Sequence, residues 1–152
     1  MFSNHVLKLS RLGVLLAALV ACSTSEGACG FSVPADWVQA DSRWDGSCAA
    51  GLADGLGVLK EYSGGKVARF FFGRVHGGNI ELGVIDQADG FVAGKFDHGQ
   101  LVPSDDRQAY IDAFREAEQA AKQAASRFKA AGNEASFRFY ENKAKELAGQ
   151  MD

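Results

Sequence analysis

The chain reads as an α+β protein: an antiparallel sheet of about three β-hairpin repeats followed by a C-terminal helix or helical hairpin. Three observations carry that reading. Thirteen of the eighteen glycines fall between Trp44 and Gly99, where apolar residues alternate with the period of a strand. Within that stretch a unit of Gly, one residue, an apolar residue, two residues and Gly occurs at Gly46–Gly51, Gly73–Gly78 and Gly94–Gly99, with spacings of 27 and 21 residues. Beyond Ser104 the glycines nearly stop, and Ala, Glu, Lys, Gln and Arg form a helix-favouring mixture.

Residues 1–21 place Lys8 and Arg11 ahead of an apolar run, Leu12 to Ala21, that is too short to span a bilayer. This is the form of a secretory signal. Its end, Leu19-Val20-Ala21-Cys22, resembles the lipobox of bacterial lipoproteins, in which a small residue precedes a cysteine that is lipidated and becomes residue one. The resemblance implies a lipid anchor on Cys22. Ser23 after it, rather than Asp, implies transfer to the outer membrane of a Gram-negative bacterium, with the protein facing the periplasm. In the alternative, Ala21 is the small residue of a simple cleavage site and Cys22 is an ordinary thiol.

With Cys22 consumed as a thioether, Cys29 and Cys48 remain, an even number in an oxidising compartment. They are expected to form a disulfide. Closing a loop of about twenty residues contributes roughly 3 kcal/mol through chain entropy. Residues 22–40 read as a lipidated tether containing a short ordered stretch from Phe31 to Val38.

In the β-region, residues 41–103, Trp44, Phe71 and Val92 stand two positions before the leading glycine of each unit. Trp44-x-Gly46-x-Cys48-x-x-Gly51 followed by Gly55-x-Gly57-x-Leu59 resembles the MORN repeat, a unit of about twenty-odd residues built on aromatic-x-Gly-x-apolar-x-x-Gly and a second Gly-x-Gly. The second unit has Leu82-Gly83-Val84 where Gly-x-Gly would fall, and the third is cut short at Pro103. The resemblance implies successive β-hairpins in one elongated sheet. Turns are expected at Gly51–Gly55, Ser63–Lys66 and Gln87–Gly90, where glycine adopts a positive φ without a Cβ clash. No Gly-Lys-Ser/Thr or Gly-x-Gly-x-x-Gly leads into a helix, which argues against a phosphate-cradling loop.

The α-region, residues 104–152, opens with Ser104 as a candidate N-cap after Pro103. Tyr110, Phe114, Ala117, Ala121, Ala124 and Phe128 form one apolar stripe in steps of four and three. Gly132-Asn133 interrupts it, and Phe137, Tyr140, Ala144, Leu147 and Met151 form a second stripe in another phase. Two helices meeting at Gly132 are expected, with Asn133 capping the second. In Phe70-Phe71-Phe72 aromatics point to both strand faces, so the sheet needs a cover, which the helices can supply.

Function is legible only as a class. The net charge is −3, and losing Lys8 and Arg11 with the leader makes the mature chain more acidic by two, against nucleic acid as a partner. Catalytic motifs such as Gly-x-Ser-x-Gly or His-Glu-x-x-His do not occur, and neither catalytic residues, metal ligands nor a cofactor are assigned. His76 and His98 with Asp97 or Asp86 are a weak metal candidate, set against ordinary loop histidines. Glu81, Asp86 and Asp89 are a candidate acid–base set, set against solvent-facing turn residues.

The leading expectation is a non-catalytic, lipid-anchored module that binds a periplasmic or envelope protein, as an inhibitor or immunity protein or as an accessory subunit of an envelope machine. Trp44, Phe71, Phe72, Tyr110, Phe114 and Phe128 are the candidate contact residues. The alternatives are a cell-wall glycan-binding module stacking sugars on Trp44, Phe71 and Phe72, and a small periplasmic hydrolase.

Overall fold

The computed structural model describes residues 28–152; the signal segment and Cys22 lie outside the described residues. Six strands, β1 (Ser42–Ala49), β2 (Leu52–Ser63), β3 (Lys66–His76), β4 (Asn79–Gln87), β5 (Gly90–Asp97) and β6 (Gln100–Leu101), form one antiparallel sheet in chain order. Two helices follow, α1 (Arg107–Ala130) and α2 (Glu134–Ala148). The fold is α+β, hairpins first and a helical hairpin after them.

The repeating unit has a physical meaning in this sheet. Its leading glycines lie on β1, β3 and β5, and the register aligns Gly46 with Gly57, Gly57 with Gly73, Gly73 with Gly83, and Gly83 with Gly94. One row of glycines therefore crosses five strands. The rings two residues upstream fill the trough: the Trp44 indole lies over Gly46 and Gly57, and the Phe71 ring over Gly73 and Gly83, where any Cβ would overlap them.

Four connections, Ala50–Gly51, Gly64–Gly65, Gly77–Gly78 and His98–Gly99, have positive φ at both central residues, the two-residue turn that matches strand twist. The first turn thus sits one step earlier than Gly51–Gly55. Leu52 already pairs with Ala49 and Ala53 is fully buried in β2. Composition hid this because an alanine, Ala50, takes a conformation usually left to glycine. The turns at Ser63–Lys66 and Gln87–Gly90 lie where the glycines and Asp89-Gly90 place them.

One face of the sheet carries Val58, Phe72 and Val84 against Ala113, Phe114, Ala117, Ala120, Ala121 and Ala124 of α1. The alanines let α1 lie close across β2 to β5, and α2 completes this layer with Tyr140, Ala144 and Leu147. Asp106, rather than Ser104, caps α1: its Oδ1 accepts from the Gln108 amide at 2.8 Å, while Ser104 Oγ accepts from the Asp106 amide at 3.1 Å. Gly132 turns the chain at φ +73°, and Asn133 Oδ1 accepts from the Ser136 amide to start α2. Among the described residues no helix is long and apolar enough to cross a membrane.

The opposite face has a cover of its own. Residues 28–41 form a strap that runs along one end of the sheet, with Gly30 bonded to Gly51 and Ala53, the Ser32 amide to the Gly78 carbonyl, and the Ala35 amide to the Gly99 carbonyl. The strap then returns over the face, burying Trp37 with Leu59, Phe71, Val75, Ile85 and Phe96. Part of what reads as tether is therefore core. The cause is the same aromatic run: side chains on both sides of β3 require layers on both sides. Cys29 and Cys48 stand at disulfide distance, Cα–Cα 5.8 Å, and pin the start of the strap to β1.

Candidate protein-binding surface

Three of the aromatics singled out as contact residues are enclosed. Phe71, Phe72 and Phe114 have no exposed surface, because each sheet face is covered and α1 turns Phe114 inward. They hold the fold and cannot touch a partner. Phe128 is half-buried and stacks on Tyr140 at 5.4 Å. Trp44 is also half-buried, with its Nε1 donating to the Ser47 carbonyl at 3.0 Å. Tyr110 is exposed, its ring propped against Phe114 at 4.7 Å.

The titratable candidates are dispersed. His76 and His98 share one end of the sheet, but each Nδ1 is matched to its own carboxylate, Asp54 at 3.1 Å and Asp97 at 2.7 Å. Asp86 lies towards the other end of β4, facing the helices, where Lys143 Nζ approaches to 2.7 Å. Among the described residues no group of three or more His, Cys, Asp or Glu could hold a metal ion. Glu81 is exposed at a β-bulge, at the opposite end of β4 from Asp86 and Asp89, so the three carboxylates share no groove.

Two ionic clusters escaped sequence reasoning because their members are distant in the chain and lack a motif. Glu61 is buried and receives Arg69 in a fork, Nε to Oε2 at 2.6 Å and Nη2 to Oε1 at 3.0 Å, plus the Val38 amide at 2.9 Å. Arg69 also bonds both the side chain and carbonyl of Asp36 and lies over the Trp37 ring. The Arg69 guanidinium holds the Glu61 carboxyl below its ordinary range, outweighing burial, which pushes the other way. This cluster locks the far end of the strap.

The second cluster joins the helices to β1 and β2. Arg127 Nη2 reaches both Oδ1 and the carbonyl of Asp45, at 3.0 and 3.2 Å, and Lys60 Nζ lies 3.6 Å from Asp45 Oδ2. Burial lowers the Lys60 ammonium, yet Tyr140 and Asp45 more than compensate and hold it above its ordinary value.

The surface differs at the β5 side. Among the described residues six large apolar residues are exposed, and three of them, Leu101 (41 %), Val102 (43 %) and Tyr110 (44 %), line one groove with Ala93 and Pro103. The groove exists because the chain leaves β6 at Val102, turns at Pro103 and climbs to α1, leaving space between β5 and the first turn of the helix. Only Tyr110 of these was legible as a contact residue, through its place in the helical stripe. Clustered exposed apolar area rimmed by polar residues is what protein-binding sites display.

The chain matches no family model, no curated protein and no solved structure.

Proposed function

We propose that this chain is an outer-membrane lipoprotein, anchored through Cys22, that faces the periplasm and acts by binding another envelope protein without catalysing a reaction. The observation that carries the binding role is the groove of Leu101, Val102 and Tyr110, where three of the large apolar residues exposed among the described residues come together. The Leu19-Val20-Ala21-Cys22 stretch supports the address. The glycan reading loses support from the enclosure of Phe71 and Phe72, which offer no ring face to a sugar.

The test pairs two measurements. Cys22→Ser should move the protein from the membrane to the soluble envelope fraction; unchanged fractionation contradicts the anchor. The soluble form should retain one stoichiometric envelope partner, and Tyr110→Ala should release it. Retention of that partner after Tyr110→Ala would place the binding surface elsewhere.

A further inference from the structure

The groove runs beside an unfinished sheet edge. β6 pairs with β5 only at Phe96–Leu101 and Asp97–Gln100, with one further bond from the Val102 amide to the Lys95 carbonyl at 2.9 Å. Pro103 follows and has no N–H to continue the ladder. Since the Lys95 carbonyl points away from β4, antiparallel alternation turns the N–H and C=O of Phe91 and Ala93 the same way. Among the described residues no hydrogen bond reaches those four groups from the open side.

The other edge is treated differently. On β1 the carbonyls of Ser42 and Ser47 accept from the side chains of Arg43 and Trp44, and Cys48 carries the disulfide to the strap. The disulfide ties the β1 edge to the strap, while the β5 edge lies open next to the groove of Leu101, Val102 and Tyr110.

Resting on the protein-binding reading, we infer that an extended segment of a partner protein adds to the sheet along Gly90–Gly94, beside the truncated β6, with alternate apolar side chains entering the Leu101–Val102–Tyr110 groove. Backbone groups in strand register recognise a strand, and the groove selects every second side chain. The segment is flanked by basic residues. Asp89, Asp97, Asp105 and Asp106 rim the edge against Lys95 and Arg107, so a second copy would bring two acidic rims together. The open stretch is also short, about 17 Å at ~3.4 Å per residue. That suits a peptide and falls short of the roughly 1,200 Å² that two stably associated folded copies bury.

The probe is a random dodecapeptide library displayed on phage, selected on the soluble Cys22→Ser protein. Selected peptides should alternate apolar residues between Lys or Arg flanks, and as synthetic peptides should slow hydrogen exchange at the Phe91 and Ala93 amides. Ala93→Pro removes one outward donor while leaving the pairing to β4, and should weaken them at least tenfold with its circular dichroism and thermal transition unchanged. Should Ala93→Pro misfold, Leu101→Lys, at an exposed site, should produce the same loss.

Peptides that bind wild type and these variants equally, show no alternation, or fail to emerge overturn the inference. So does a dimer in sedimentation that Ala93→Pro dissolves, which would make the occupant a second copy. An envelope partner that needs Tyr110 but is indifferent to Ala93→Pro would leave the protein-binding reading standing and remove strand addition alone.

Discussion

The two edges of the sheet are built from the same repeating unit and end differently. β1 is tied to the strap by a disulfide, and its Ser42 and Ser47 carbonyls accept from Arg43 and Trp44, whereas β5 is paired at Lys95–Asp97 and is bordered beyond that by exposed apolar residues. An unguarded edge is a site of unwanted pairing, and proteins ordinarily blunt it. The disulfide ties β1 to the strap, while β5 borders the groove at which we propose that a partner strand pairs.

The largest expected effect breaks the tie between the strap and β1. Replacing Cys29 and Cys48 together by serine should lower stability by about 3 kcal/mol, the value for a loop of this length. Denaturant unfolding under non-reducing conditions measures it, and hydrogen exchange should rise first along residues 28–35 and β1. A loss below about 1 kcal/mol would mean that the remaining strap contacts hold without the bridge.

A smaller effect comes from the lock at the strap's far end. Glu61→Gln leaves Arg69 with Asp36 alone and should cost about 1–3 kcal/mol, the range for a hydrogen-bonded charge losing its partner. The pH dependence has a definite sign. The folded Glu61 value lies below its ordinary 4.5, so the unfolded chain takes up the proton first. Its contribution is complete above about that value and fades as pH falls through the folded value. Stability measured from pH 6 downward should therefore decline less steeply in Glu61→Gln than in wild type; parallel declines would show that other carboxylates set the acid limb.

The smallest effect concerns the tie between α1 and β1. Arg127→Ala removes a partly exposed pair with Asp45 and should cost less than about 1 kcal/mol. Its consequence should be local: exchange rises around Asp45, while the thermal transition moves little. A large global loss would place Arg127 in the core energetics.

How much of this was visible beforehand follows from what each element needs. The hairpins were legible because a unit of alternating apolar residues and glycine recurs, and α1 and α2 because Gly132-Asn133 separates two stripes that differ in phase. The strap was only partly legible, since residues 28–41 have no period; Trp37 becomes a core residue only once the second sheet face is known to require a cover. The same gap misassigned Phe71 and Phe72, because alternation reports that two faces are apolar and is silent on what covers them, and Phe114, because the period of a helical stripe does not say which layer it packs on. The first turn was displaced by Ala50, whose positive φ has no compositional signature. The groove rests on Leu101 and Val102, adjacent residues that sequence marks only as the approach to Pro103.

Pairing of the partner at the β5 edge and not at the β1 edge is tested by photo-cross-linking in cells that make the full chain. A benzophenone amino acid replaces Tyr110 in one variant and Ser47, exposed on β1, in another. The structure predicts one discrete adduct from position 110 and none from position 47. An adduct from position 47 alone would contradict it and move the binding surface to the β1 edge.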